Sequence, residues 1–229
     1  MKKKRECMKK NEQEQIKLSI FNWGPCVTHF KCDDAFIDLL IKEGKKGKQD
    51  YRDKLAGQIK EEIGYSEESK KLILPRLSQF IGVYDQAFER YQSKPYETKP
   101  EYVLSALWIN YQKQHEYNPP HDHDGRLSFV IYLDMPKKLE EEQKNYVGKS
   151  CGPGGIQFLY GEGPRDAVTT LSFSPKKGDM FIFPSWLKHY VAPYKSDCTR
   201  ISVSGNFHDQ VPINNVINFA PKYLKNAKK

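Results

Sequence analysis

Two histidines and two aspartates occupy consecutive positions in NPPHDHDGRLSFVIYL, residues 118–133. In an extended segment, residues two apart project to one face, so His121 and His123 point together while Asp122 and Asp124 point to the other side. Two imidazoles on one face form a chelating pair for a metal ion. His189, in a second strand-like run that follows FIFPSWLK, is the candidate for a third ligand. Eleven residues further on, Arg200, Ser202 and Ser204 share one face of RISVSGNF. An arginine among apolar neighbours needs an anion. Its planar fork grips a carboxylate at two points, and Ser202 can donate one more hydrogen bond to the same group. The plainer reading of Arg200 is a structural ion pair with an internal Asp or Glu. A metal beside a carboxylate clamp points to a small dicarboxylate that chelates the metal through one end. His29, His115 and His208 read as surface or satisfied polar residues.

The elements that must position these groups fall into two regimes that change near residue 100. Before it, KLSIFNW (17–23) reads as a short β-like stretch. Asp33 or Asp34 caps a helix with Phe36, Leu39 and Leu40 on one face and Gly44 at its end. Leu55, Ile59 and Ile63 recur every four residues and predict a second helix. Leu77, Phe80, Ile81, Tyr84, Phe88 and Tyr91 predict a third, with Pro75 near its start. These stripes read as core-facing. After SKPYETKP come short apolar runs at 102–111, 127–134, 156–160, 169–173, 179–184, 187–193 and 200–207, the pattern of an antiparallel sandwich or barrel. The polar, glycine-rich stretch 135–155 between two of them reads as a long functional loop, a candidate lid. The expected organisation is a basic tail over 1–12, a helical support region over 13–100, a β core over 101–220 and a basic tail over 221–229.

Charge and composition narrow the function. With 229 residues, of which 38% are hydrophobic, the chain can bury one good core. Its net charge of +8 is almost entirely terminal: the first ten residues carry +5 and the last eight carry +4. The body is therefore near neutral and the tails read as solvated, so no specific nucleic-acid partner is expected. No apolar run reaches membrane-span length and no signal core follows the charged start. The five cysteines are odd in number and form no CxxC pair, which fits a reducing compartment and argues against a zinc-thiolate site. A soluble cytoplasmic protein is expected.

In this order, WINY, NPPHDHDGRLSFVIYL, PKKGDMFIFPSWLKHYVAP and RISVSGNF resemble the Fe(II)- and 2-oxoglutarate-dependent dioxygenases. The likeness is greatest to the small prolyl-hydroxylase-like members of bacteriophage and marine bacterial genomes, which implies the cytoplasm of a bacterium or of a phage-infected host. The resemblance covers about 130 C-terminal residues. It implies a double-stranded β-helix (jelly-roll) core, so the fold class is mainly β with N-terminal helices (α+β). It also implies Fe(II) and 2-oxoglutarate as cofactors with O2 as cosubstrate, and oxidative decarboxylation of 2-oxoglutarate coupled to hydroxylation of a C–H bond. By the same resemblance His121 and His189 are iron ligands, Arg200 with Ser202 binds the far carboxylate of 2-oxoglutarate, and Tyr111 lines the cosubstrate pocket.

The general family pattern is His-x-Asp, whereas this chain has His-x-His, as small phage-like members do. The third ligand therefore has alternatives: His123, by face and spacing; Asp124, turned inward by the bend at Gly125; or Asp122 or a water. The rival class is a cupin-type metal barrel without 2-oxoglutarate chemistry, which also carries His-x-His. Such a barrel does not need Arg200 and Ser202, and commonly has a Glu soon after the His pair, which DGRLSFVIYL lacks. A scaffold protein that kept the fold and lost activity is a third reading, opposed by the intact histidines and Arg200. The substrate, a peptide side chain or small molecule, is not legible. Trp108, Tyr160, Trp186 and Tyr190 are equally readable as a ring- or peptide-binding surface and as core packing.

Overall fold

The computed structural model describes residues 24–97, 99–163 and 169–210. The two basic tails and the expected β-like stretch at 17–23 lie outside the described residues.

Among the described residues, eleven strands form two antiparallel sheets. β1 (Thr28–Lys31), β2 (Gln49–Asp50), β3 (Glu62–Gly64), β4 (Tyr102–Gln112), β6 (Leu127–Asp134), β9 (Asp179–Pro184) and β11 (Arg200–Asp209) make the larger, in the order β1-β9-β6-β11-β4-β3-β2. β5 (Asn118–His121), β7 (Ile156–Leu159), β8 (Thr170–Phe173) and β10 (His189–Val191) make the smaller, in the order β5-β10-β7-β8. This two-leaf arrangement, with helices on one outer face, is the jelly-roll class that the apolar runs predict.

The central strands of the larger sheet are buried on both faces, which is why LSFVIYL in β6 is a continuous apolar run and not an alternating one. Ile131, Leu133, Ile182 and Val203 face the helical layer, where they meet Phe36, Leu40, Leu77 and Ile81. Val130, Tyr132, Phe181 and Phe183 face the smaller sheet, where they meet Ile156, Phe158 and Val191.

The helical layer is α1 (Asp34–Gly44) and α2 (Glu67–Gln92). Asp33 caps α1, its Oδ1 accepting from the Phe36 amide at 2.8 Å. α2 begins eight residues before Pro75, at a Ser66 cap that accepts from the Ser69 amide at 3.2 Å. Pro75 therefore lies inside the helix rather than near its start. Its ring is on the exposed side, where water can satisfy the carbonyl it leaves unpaired. Among the described residues, no helix is long and apolar enough to cross a membrane.

Two expectations fail here. Leu55, Ile59 and Ile63 do not share a helix: a single 3-10 turn (Arg52–Lys54) leads into extended chain and β3. β3 takes its hydrogen bonds from the edge of β4, with Glu62, Ile63 and Gly64 opposite Asn110, Ile109 and Trp108. The stretch 135–155 is not an open lid either. It contains α3 (Lys137–Lys144), whose Leu139 is buried between the sheets. The Glu142 carboxylate fastens it down, accepting from the Lys195 amide at 3.0 and 3.1 Å, the Ser196 amide at 2.8 Å and the Ser196 hydroxyl at 2.6 Å.

Candidate active site

β5 and β10 are neighbours in the smaller sheet, and their register sets His121 directly opposite His189. Just beyond β5, the His123 amide donates to the Ser185 carbonyl at 2.9 Å, which fixes the chain where it leaves the sheet. Gly125, at φ +111°, then turns it into β6; a Cβ there would meet the Phe207 carbonyl oxygen at 2.8 Å. The three imidazoles converge. Ring centroids are 4.3 Å apart for His121 and His189, 4.9 Å for His121 and His123, and 5.2 Å for His123 and His189. Their potential ligand atoms all lie within 4.8 Å of one another.

The donor set suits a divalent metal. His121 Nδ1 donates to the Pro119 carbonyl at 2.7 Å and His189 Nδ1 to the Leu187 carbonyl at 2.9 Å. Because a carbonyl only accepts, these nitrogens hold the ring protons and leave the Nε2 lone pairs for an ion. Burial pushes all three rings below the ordinary imidazole range, His123 down to about 4, so they are neutral near pH 7. Asp122 and Asp124 are exposed and line an outer cleft with Tyr51 and Lys54. His29, His115 and His208 are apart from the group; His29 Nε2 contacts Asp179 at 3.1 Å.

Arg200 opens β11, opposite Gln112 of β4, and is 2% exposed. No acid among the described residues pairs with it. Its terminal amine donates to the Gly154 carbonyl at 2.7 Å, its amide donates to the Tyr194 hydroxyl at 3.2 Å, and its Nε has no partner. The guanidinium carbon lies 5.1 Å from the Tyr132 ring centroid, and the Tyr132 hydroxyl is also buried without a partner. Ser202, two residues along the same face, is 2% exposed and stands opposite Tyr132. A buried cation, an unpartnered phenol and a serine hydroxyl form a donor set that a carboxylate would complete. Residues 135–155 close this end of the barrel: Gly154 supplies the carbonyl that holds Arg200, and Leu139 packs beside Tyr194 and Tyr132.

Tyr111 does not line this pocket. It pairs with Ile201, while Asn110 pairs with Ser202, so alternation along β4 turns Tyr111 to the helical layer. Of the four aromatic candidates, Trp108 lines the cavity over the histidines. Trp186 is 54% exposed and pairs with Tyr160 at 6.0 Å, and the Tyr190 hydroxyl donates to Gln157.

Two residues at the site escaped the sequence reading. Tyr132 sits inside an apolar run, and only its register against Ser202 shows that it faces inward. Glu62, 1% exposed, lines the histidine cavity from β3. A signal for it existed: the six residues between Gly57 and Gly64 are too few for a stable helix and suit a strand.

Residues 106–206 match the model of a family described as putative 2OG-Fe(II) oxygenase. No curated protein matches the chain in sequence. Among solved structures, a prolyl-4-hydroxylase from Pseudomonas putida superposes with a TM-score of 0.50 at 14% identity, covering 81% of this chain and 93% of that one. A prolyl hydroxylase from Trichoplax adhaerens, in complex with a hypoxia inducible factor oxygen degradation domain peptide fragment, also gives 0.50 at 14% identity, covering 82% and 84%. A viral collagen prolyl hydroxylase from Paramecium Bursaria Chlorella virus-1, in complex with 2OG, gives 0.49 at 15% identity over 79% and 94%. At such identities the Pseudomonas putida and Trichoplax adhaerens structures share the fold alone with this chain, and the segment matched by the family model contains all three histidines, Arg200 and Ser202. The barrel segment, residues 106–206, is thus similar to the 2OG-Fe(II) oxygenases.

Proposed function

We propose that the protein is a hydroxylase of a peptide side chain or small molecule, with iron held by His121, His123 and His189 and the far carboxylate of 2-oxoglutarate held by Arg200, Tyr132 and Ser202. The observation that carries this reading is the pairing of two incomplete sites across one barrel. Three neutral imidazoles converge on one leaf, and a buried arginine without an anion faces inward from the other. A cupin-type barrel accounts for the first but not the second.

Iron with 2-oxoglutarate supplies an oxidant strong enough to break a C–H bond when O2 is present. The chain's residues position and shield. The Pro119 and Leu187 carbonyls hold two imidazoles in one tautomer and orientation. Arg200 neutralises the far end of the cosubstrate, and Tyr132 and Ser202 donate to it. Phe129, Ile156, Phe183 and Val191 line the metal cavity with apolar surface, which keeps water from the reacting atoms. Hydroxylation draws support from the shared fold, in which two solved structures are prolyl hydroxylases.

The test is anaerobic titration of the full chain with Fe(II) and then 2-oxoglutarate, followed by admission of O2. A visible absorption band that needs both additions, followed by succinate formation, is the expected result. Tight iron binding without 2-oxoglutarate binding would return the protein to the cupin class.

A further inference from the structure

The histidine cavity has a polar wall that neither the metal nor the cosubstrate explains. Glu62 projects into it from β3, and its Oε2 is buried without a partner. Beside it, on β4, Asn110 Oδ1 is also buried without a partner. The third polar group is Asn118, at the start of β5. A Cβ built on Gly57 would lie 2.4 Å from Asn118 Oδ1 and 3.0 Å from Glu62 Oε1, so these two oxygens converge on the space that glycine leaves free. The wall thus presents acceptor oxygens from three side chains, two of them with no donor. Leaving such groups unsatisfied in a buried place is costly, so a ligand donor is the natural complement.

Charge specifies the donor. Glu116 lies close enough to press on Glu62, and it is itself buried, accepting from the Lys60 and Lys113 amides at 3.2 and 2.8 Å. The cation that acts on Glu62, Arg52, is exposed and already held by Asp50 through contacts of 2.5 to 3.0 Å. The adjoining outer cleft shares Leu55, Trp108 and His123 with the cavity. Asp122 and Asp124 stand on its rim, opposed by Lys54, whose ammonium rests 4.9 Å from the Tyr51 ring centroid. The path inward is acidic on balance and aromatic at the side.

The geometry points to a subsite for a cationic hydrogen-bond donor, an amine or guanidinium of the substrate, with Glu62 as the specificity residue and Asn110 and Asn118 as supporting acceptors. This rests on the oxygenase reading for the word substrate, but the binding it asserts is independent of turnover. Such a group, bound against Glu62, would present its neighbouring carbons to the metal side of the same cavity.

The test is calorimetric binding, at about pH 8 where Glu62 is ionised, of four probes to the full chain loaded with Mn(II) and 2-oxoglutarate, which blocks turnover. The cationic probes are N-acetyl-lysine methylamide and N-acetyl-arginine methylamide. N-acetyl-norleucine methylamide and N-acetyl-citrulline methylamide are their neutral counterparts. The cationic members should bind roughly tenfold or more tightly than the neutral ones, the usual worth of a hydrogen bond to a charged group. Glu62→Gln, close in shape and so expected to fold, should abolish that preference. Gly57→Ala, which fills the converging space and meets Asn118 and Glu62, should weaken the cationic probes.

Equal binding of all four probes overturns the proposal. So does a preference that survives Glu62→Gln. A Glu62→Gln variant that melts at a lower temperature, with no probe preference in the parent, would make Glu62 a structural hydrogen-bonding partner of Asn110 and also sink the idea. If Mn(II) or 2-oxoglutarate fails to bind while the cationic preference stands in the unloaded chain, the oxygenase reading fails and the cation subsite remains.

Discussion

Arg200 and Tyr132 face each other between the two sheets, guanidinium carbon 5.1 Å from ring centroid, and each keeps one polar atom without a partner. Burial also pushes the phenol up to about 12, so it remains a donor across the physiological range.

Arg200→Lys keeps the charge and loses the fork. Affinity for 2-oxoglutarate should fall by about 1.5–3 kcal/mol, the range for hydrogen bonds to charged groups, while iron affinity stays the same. Anaerobic titration reads both. Loss of metal with retained cosubstrate would show that the two roles have been exchanged.

Tyr132→Phe removes a hydroxyl that has no partner in the ligand-free chain. Cosubstrate affinity should drop by about 0.5–1.5 kcal/mol, whereas urea melts of the ligand-free protein should show equal or greater stability. A large loss of stability would mean that the hydroxyl is already satisfied in the resting fold.

His123→Ala should weaken iron binding by more than the roughly 10–100-fold typical of losing an outer partner of a ligand. Asp124→Ala should leave it within the error of the titration, since that carboxylate is exposed and turned to the outer cleft. His123→Asp should retain iron by restoring a carboxylate two residues after His121. Iron lost in Asp124→Ala but kept in His123→Ala would reverse the assignment.

Glu62 makes a prediction about pH. Burial first, and the charge of Glu116 second, raise its carboxyl from 4.5 to about 7 in the fold. The native state thus holds a proton that the unfolded chain releases, so stability is fully present below about pH 4.5 and is lost as pH rises towards 7. Denaturant melts of the metal-free protein at about pH 5 and pH 8 should show the parent losing about 2 kcal/mol relative to Glu62→Gln. The histidines titrate in both proteins and cancel in the difference. A difference that does not change with pH would place the carboxylate in contact with solvent or a cation.

What could be read without coordinates was whatever depends on neighbours in the chain. His121 and His123 share a face because extended chain alternates, Asp33 caps a helix because its side chain reaches the Phe36 amide, and the β core follows from apolar runs between turns. What could not be read depends on register between distant strands. Tyr111 and Asn110 are adjacent, and only the pairing of Asn110 with Ser202 decides which of them enters the barrel. The four-residue spacing of Leu55, Ile59 and Ile63 suits a helix locally, but β4 offers β3 an open edge, and the ladder outweighs the spacing. Glu62 enters the barrel because that strand sets it opposite Asn110.

The metal-binding imidazoles of the proposed site come from β5, β10 and the chain just beyond β5, on the four-stranded leaf, while Arg200 comes from β11 in the seven-stranded one. A small diacid gripped at both ends is therefore a strut across the roughly 10 Å between packed sheets. Cys26, Cys32, Cys151 and Cys198 are all free, so among the described residues no covalent bridge duplicates it. At the proposed site the cosubstrate would act as a removable crosslink, and its arrival should slow amide exchange in β10 and β11 together, two strands that share no hydrogen bond.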